Sequence, residues 1–313
     1  MKEEYFAKLK SCRLCPRQCG VDRLAGQKGF CGACGEEAEV ARADLHFWEE
    51  PCISGSRGSG TVFFCHCNLK CVYCQNSHIS GSASSGILVS SDRLAEIFLE
   101  LQVRGAHNIN LVTPTHYACQ IAQAIDISRA SGLRLPVVYN CGGYEEVETI
   151  DFLRKRIQVY LTDFKYWNQS LSSSYSQAPN YAARAIRALD AMVRCTGAPV
   201  LDEEGLLQRG VLVRHLVLPY AWEDSIKIIG FLHRRYGERI YISIMNQYTP
   251  PVNGMLPDRL REPTEEKAYR KVVDYARDIG VEQGFVQCGG TVGTHFVPNF
   301  DGTGVLKRRD FMV

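Results

Sequence analysis

The stretch "CHCNLKCVYCQN", residues 65–76, sets four cysteines in ten positions just after an apolar run, Val62-Phe63-Phe64. Cys67, Cys71 and Cys74 follow the spacing C-x-x-x-C-x-x-C. Three thiolates on one short loop can hold three irons of a cubane cluster and leave the fourth open to a small ligand. Electron-transfer clusters usually take four cysteines, and a closed structural zinc site also takes four ligands. The incompleteness of the triad therefore carries the information. Cys65 lies two residues before Cys67, so on a strand its side chain points the same way but ~6.6 Å further back. It reads as a residue of the strand interior. The competing account is a zinc knuckle completed by Cys65 or His66.

A second thiol group, Cys12-x-x-Cys15-x-x-x-Cys19 and Cys31-x-x-Cys34, puts five cysteines in a region of weak apolar periodicity. Such a region needs a metal staple to fold, and the spacing suits zinc or a second iron–sulfur cluster. Two CxxC pairs, Cys12, Cys15, Cys31 and Cys34, make the simplest closed site. Of the 14 cysteines, the four that remain dispersed, Cys119, Cys141, Cys195 and Cys288, read as small buried hydrophobes.

The elements that position these groups belong to one large α/β domain with an appendage. The 313 residues are 45% hydrophobic and 22% charged, enough for a sizeable core. A net charge of +2 gives no case for an electrostatic nucleic-acid or membrane partner. No apolar stretch approaches the ~20 residues of a membrane span. The start, "MKEEYFAKLKSC", lacks the apolar centre of a secretory signal, so a cytoplasmic protein with reduced thiols is expected. Composition divides the chain into a cysteine-rich extension, 1–52, and a body, 53–313.

Within the body, strands are expected at 61–66, 108–113, 136–140, 158–164, 211–218 and 240–245, from β-branched and aromatic enrichment between Gly and Pro. Helices are expected at 91–104, 116–131, 145–155, 181–196, 224–236 and 265–279, the last capped by Thr264. Residues 170–180 and 197–210 read as polar loops, and 246–263 as a Pro-rich one. "GSRGSG" (55–60) precedes a strand rather than following one, so it is a lead-in turn and no phosphate loop. Six alternations imply a parallel sheet, either a barrel or an open doubly wound sheet, with the chemistry at the C-terminal ends of the strands. Those ends carry the cysteines, Thr113-Pro114-Thr115-His116, Asn140 and Asp163-Phe164-Lys165.

The triad, with Tyr73 before its last cysteine, resembles the motif of the radical S-adenosylmethionine (radical SAM) superfamily. With "EEPCISGSRGSGTVFFCHCNLKCVYCQN", "VTPTH", "DFKYW", "VRHLVLP" and "IMNQY", nearly the whole chain is similar to an uncharacterised pyruvate formate-lyase activating enzyme-like subgroup. The resemblance implies a partial (β/α)6 TIM-like barrel behind the cysteine-rich metal-binding extension. It implies a [4Fe-4S] cluster on Cys67, Cys71 and Cys74, and reductive cleavage of SAM to a 5′-deoxyadenosyl radical that abstracts hydrogen from a protein, peptide or small-molecule substrate, such as a glycyl-radical enzyme. A low-potential reductant such as flavodoxin or ferredoxin would supply the electron. Related enzymes keep Cys12, Cys15, Cys19 and Cys31, leaving Cys34 spare.

By the same resemblance, Tyr73 lies near the adenine, and Asp163 and Lys165 match a D-x-K motif. Alternate strand residues share a face, so both project toward the cluster, Lys165 to the cofactor carboxylate and Asp163 to order it. The glycine-glycine-glutamate motif of the activating enzymes is replaced by Thr113-Pro114-Thr115-His116. Thr113, Thr115 and their carbonyls then receive the cofactor ammonium, and His116 faces the substrate as a proton donor or acceptor. Asn140 is expected at the ribose, with Gly142 and Gly143 admitting the ligand closely. Of Arg214 and His215 only one can face inward; Arg214 is taken as a cofactor contact. Met245, Gln247 and Tyr248 are candidates for a substrate loop. A reading of another class is a non-catalytic iron–sulfur or zinc protein for electron transfer or scaffolding.

Overall fold

The computed structural model describes residues 2–81, 86–251, 256–287, 293 and 297–307. Cys288 and part of the Pro-rich segment lie outside these. Among the described residues ten strands form one sheet: β1 (Ala38–His46), β2 (Ser59–Phe64), β3 (Ile87–Val89), β4 (Ile109–Val112), β5 (Val137–Cys141), β6 (Val159–Asp163), β7 (Val200–Leu201), β8 (Leu207–Leu216), β9 (Tyr241–Met245) and β10 (Gly284–Val286). The spatial order is β10-β9-β8-β6-β5-β4-β2-β1-β3, with β7 paired to β8 alone. From β2 to β10 all pairs on that path are parallel, while β1 runs antiparallel to β2 and β3.

Across the parallel run, spatial order follows chain order. With right-handed crossovers, stepping always in one direction places every helix on one face. This excludes the doubly wound alternative. The helices indeed pack in sequence, Ser91–Val103 on Ala118–Ala130, that one on Val147–Leu153, and that on Tyr181–Thr196. Arg235 of the Trp222–Tyr236 helix joins this layer through an ion pair with Asp190, 2.7 Å long. The sheet does not close, and its ends are β3 and β10. All six expected strands and six expected helices are present. A seventh parallel strand, β10, is three residues long, too short to leave a periodic pattern.

Period-2 alternation sorts the strand side chains. Val62, Phe64, Leu111, Tyr139, Val211, Val213 and Ile242 join the core beneath the helices. Val138, Val159, Leu161 and Leu212 face the other way and pack on Cys52 and Ile53. Those two residues arrive from below. His46, the last residue of β1, pairs with Ser59, the first of β2, so the chain from 47 to 54 lies at the N-terminal ends of the parallel strands. Asn108, just before β4, holds it there by donating to the Ile53 carbonyl at 2.7 Å. The segment thereby plugs the open barrel from beneath.

Two expectations change. The serine-rich stretch is not a loop, because Gln169–Ser176 is a helix. Asn168 caps it by accepting from the Ser170 N–H, and Tyr175 and Ser176 are buried. The Leu171–Tyr175 spacing was the apolar signal, drowned by serines. Thr264 does not cap the Glu266–Asp278 helix; Glu265 occupies that position, and Thr264 donates to the Val217 carbonyl at 2.7 Å.

Gly143 has φ +78°, and a Cβ there would stand 2.2 Å from the Asp163 carbonyl oxygen. Its bareness thus lets the ends of β5 and β6 approach, rather than admitting a ligand. Gly143→Ala should cost about 2 kcal/mol or more, read as a lower urea midpoint. Gly132→Ala, with φ +99° but open space around it, should cost clearly less.

Candidate functional site

A cavity of about 240 Å³ opens among the C-terminal ends of the parallel strands. Cys67, Cys71, Tyr73 and Cys74 line it together with Thr113, Asn140, Gly142, Asp163, Lys165 and Arg214. Residues from five separate segments thus converge on one space, where an open parallel sheet is expected to hold its ligand.

Register explains the charged row. Asp163 pairs with Arg214, and Arg214 with Ser243, so three neighbouring strands present these side chains on one face. The Arg214 guanidinium donates through Nε to Asp163 Oδ1 at 3.0 Å, through Nη1 to Glu49 Oε2 at 2.9 Å, and through Nη2 to Asn140 Oδ1 at 2.6 Å. Lys165 Nζ donates to the other Asp163 oxygen at 2.6 Å. Glu49 Oε1 also accepts from Asn110 and Asn140, at 3.0 and 3.1 Å. Burial works against the Asp163 carboxylate, but Lys165 and Arg214 outweigh it and hold its pKa below the ordinary range. Burial likewise opposes the charge on Lys165, yet Asp163 first, then Cys71 and Tyr73, raise it well above its usual value.

Glu50 lies beside this row. Burial, followed by the repulsion of Glu49, raises its carboxyl, against the pull of Arg214 and a hydrogen bond from Ser243. Glu49 and Glu50 had been read only as part of a longer motif string. Glu49 reaches the cavity, and Glu50 is buried beside it, because the 47–54 plug carries them in, a placement no periodicity announces. His215, on the opposite face of β8, is buried and bonds the Phe164 carbonyl at 2.7 Å, so Arg214 is the inward residue.

Each triad sulfur faces a donor. The Leu69 N–H reaches Cys67 Sγ at 3.4 Å, Ser176 Oγ reaches Cys71 Sγ at 2.9 Å, and Ser80 Oγ reaches Cys74 Sγ at 3.5 Å. Burial and the neighbouring Cys71 and Cys74 push the Cys67 thiol up to about 12. Such a group ionises only against added positive charge. Tyr73 is buried, with its hydroxyl 2.6 Å from that of Tyr166, which in turn lies 2.7 Å from Ser176 Oγ. Cys65 and His66 do not line the cavity. Cys65 packs with Phe63, Ile79 and Val112, and His66 Nε2 is 2.8 Å from Glu39. Cys141 does line it, but its thiol is engaged with Thr162 Oγ1 at 3.4 Å, and burial keeps it protonated. His46 also lines it, with its ring against Phe63.

Of the Thr-Pro-Thr-His stretch only Thr113 reaches the cavity. Its φ is +58°, left-handed backbone that a β-branched residue adopts at a cost. Thr115 is buried and donates to Glu145 Oε1 at 2.9 Å. His116 is buried as well, its Nε2 at 2.7 Å from the Cys65 carbonyl, and burial lowers its pKa to about 3. Neither stands where a cofactor or substrate would meet it. Met245 and Gln247 line the cavity, and Gln75 ties the cysteine loop to the Gln247 carbonyl at 3.0 Å. Tyr248 is buried and bonds the Leu260 carbonyl.

Among the described residues, no three His, Cys, Asp or Glu side chains are gathered closely enough to hold a single metal ion. Thiolates that each take a different iron stand further apart than the ligands of one ion, so a three-cysteine cluster loop is compatible with that spacing. No helix among the described residues is long and apolar enough to cross a membrane.

No protein-family model matches the chain. It is 29% identical over 283 residues to the uncharacterized protein MJ0674 of Methanocaldococcus jannaschii, covering 86% of this chain and 76% of that protein. Among solved structures it is similar to Streptococcus suis SuiB bound to the precursor peptide SuiA, with TM-score 0.45 and 11% identity over 71% of this chain and 46% of that one. It is similar to HydG, a maturase of the [FeFe]-hydrogenase, with TM-score 0.47 and 14% identity over 70% and 48%. The chain spans less than half the length of those two. A hyperthermophilic chitinase domain from Pyrococcus furiosus also matches, with TM-score 0.39, 13% identity, and 64% and 72% coverage. Likeness at this level carries no argument about fold or chemistry.

Glu145 gives the site region a pH signature. Burial pushes its carboxyl from an ordinary 4.5 up to about 7. The folded chain therefore keeps a proton that the unfolded chain has lost, and stability falls as pH rises through that window, by about 3 kcal/mol in all. Glu145→Gln, which can still accept from Thr115, should remove this slope. Urea unfolding at pH 5 and pH 8 should show the variant gaining on wild type at the higher pH.

Proposed function

We propose that the chain is a radical SAM enzyme. The observation that carries this reading is that three thiols from one loop, with no fourth beside them in that loop's cavity that is not already engaged, share that cavity with a lysine and an arginine held ready by a carboxylate. Cys67, Cys71 and Cys74 would hold a [4Fe-4S] cluster and leave one iron for the amino and carboxylate groups of SAM. When bound, this pair supplies reductive carbon–sulfur cleavage and a 5′-deoxyadenosyl radical that takes hydrogen from a substrate.

The chain's own residues then have distinct tasks. Lys165 uses one of its three N–H donors on Asp163 and keeps two for an incoming carboxylate. Arg214 has three directions committed to Glu49, Asp163 and Asn140, so it fixes the geometry and sign of the wall more than it grips a ligand. Asn140, spent on Arg214 and Glu49, belongs to that scaffold rather than to the ribose. Thr113 offers backbone in an unusual orientation at the end of β4, where an ammonium could be received. The buried tyrosines Tyr73, Tyr166 and Tyr248 keep water from the cluster side. Ser176, Ser80 and the Leu69 N–H point donors at the sulfurs, which stabilises thiolate and bears on the potential of whatever they hold.

Anaerobic reconstitution with iron and sulfide, followed by dithionite and SAM, should yield 5′-deoxyadenosine. Lys165→Met should keep its cluster absorbance but lose at least ~10-fold in turnover, about 1.4 kcal/mol of binding. A fully loaded cluster that releases no 5′-deoxyadenosine sinks the reading and favours a carrier.

A further inference from the structure

The N-terminal thiols Cys12, Cys15, Cys19 and Cys31 border a space of about 10 Å³ that Cys34 does not line, and no three of them are gathered around one ion. The barrel cavity is the larger feature, and its walls differ in kind. Asn140, Asp163, Lys165 and Arg214 make one wall polar, and every charge on it has a partner. Toward β1, His46, Trp48, Phe63, Val112, Val297 and Pro298 line the same cavity without an ionised group. His46 is neutral at physiological pH, because burial first, then Arg42, lowers its pKa to about 4. Arg42 itself is taken by Asp44 and Asp301, at 2.5 and 3.0 Å.

This second wall is built of rings and held rigid. His46 meets Phe63 edge-on with centroids 5.7 Å apart, and Phe300 also meets Phe63 edge-on at 5.5 Å. Trp48 lines the cavity while 58% exposed, so a large ring stands at its mouth. Val297 and Pro298 arrive on a segment clamped along β1. The Gly302 N–H donates to the Ala41 carbonyl at 2.9 Å, the Ala43 N–H to the Thr303 carbonyl at 2.8 Å, and Arg42 to the Asn299 carbonyl at 3.1 Å. At Gly304, with φ +73°, a Cβ would collide with the Ala43 carbonyl oxygen, so only glycine lets the clamp close. A wall fixed in advance loses little freedom on binding and so can select its ligand.

We propose that this wall is the substrate subsite and that it takes a flat, uncharged aromatic group, packed against Trp48 and Phe63. A charge placed there would lose its water without gaining a partner, whereas a ring finds further edges and faces to pack on. The role as a substrate subsite rests on the radical SAM reading; the selectivity for a neutral ring does not.

Ligand-observed NMR titration of the full chain, with neither cluster nor SAM, tests that selectivity. p-Cresol, uncharged at neutral pH, should bind saturably, and its charged analogues 4-methylbenzoate and 4-methylbenzylamine at least ~10-fold more weakly. N-acetyltyrosinamide separates two sources of the ring: binding tighter than p-cresol points to a side chain within a peptide, weaker binding to a free small molecule. Trp48→Ala should weaken p-cresol about 10-fold, while Met245→Ala on β9 should change it less than about 2-fold. Val297→Lys sets a cation on the wall and should reverse the preference, so that 4-methylbenzoate binds better than p-cresol; a gain of this kind does not come from misfolding. After reconstitution, SAM without reductant should leave the p-cresol affinity within about 2-fold, since the two use different walls. Lack of saturable p-cresol binding, charged analogues that bind as tightly, no effect of Trp48→Ala together with no reversal in Val297→Lys, or displacement of p-cresol by SAM would each overturn the proposal. A chain that shows the expected selectivity but releases no 5′-deoxyadenosine keeps the aromatic site and loses the enzymatic reading instead.

Discussion

A single guanidinium organises the interior of this sheet. Arg214 stands near the C-terminal end of β8 and bonds Glu49 from the plug below, Asp163 from β6 beside it, and Asn140 from β5 beyond. Removing one partner of such a buried pair costs about 3–5 kcal/mol, because the charge left behind has no water to turn to. The arrangement is therefore nearly all-or-none. Strand register puts Asp163 next to Arg214, but Glu49 is there only because β1 runs back along β2 and delivers residues 47–54 to the bottom of the barrel. The antiparallel strand, marginal to the α/β pattern, thus completes the charge balance of the cavity. With Glu50 biased toward its neutral form by burial, two carboxylates face two cations across the row.

The parts legible in the sequence are those governed by short periods. Apolar strands of four to six residues between helical stripes announced the parallel run, and the i,i+2 spacing of Asp163 and Lys165 announced their shared direction. The cysteine spacing announced the loop. What escaped depends on long-range docking. Nothing within "WEEPC" distinguishes two solvated glutamates from two that enter a barrel, because their burial is decided by the path of β1. The serine-rich helix escaped for a related reason. Ser, in isolation, favours turns, but Ser176 is held by Tyr166 and Cys71, partners 10 and 105 residues away.

The Thr-Pro-Thr-His stretch shows a subtler failure. Position at the end of a strand correctly marked the place, but a 3-10 turn over Thr115–Tyr117 rotates the following side chains away from the cavity. Thr113 alone stays, in a backbone conformation that costs energy. His116 looked like chemistry because a histidine at a strand end usually meets solvent or ligand. Here it is walled in, touching the Cys65 carbonyl on one side and the space between the N-terminal cysteines on the other. The residue joins the two cysteine regions instead of serving one of them.

That junction bears on how the cysteine loop is kept in shape. The loop has little regular structure, and His66 and Lys70 both sit at positive φ, +71° and +53°. Strained backbone persists only where its surroundings over-determine it. The determinants are visible on three sides: His116 on the Cys65 carbonyl, Asn68 on the Tyr144 carbonyl at 2.8 Å, and Arg17, reaching in from the N-terminal segment to the Asn68 carbonyl at 2.8 Å. Arg17 also bonds the Ser176 carbonyl at 2.9 Å, so one side chain ties the extension to the loop and to the helix whose serine touches Cys71. If the extension loosened, the loop would lose Arg17, and Cys71 would lose its hydroxyl donor as that helix shifted. The segment from 12 to 34 is thus physically part of the barrel site, though no residue of it lines the cavity.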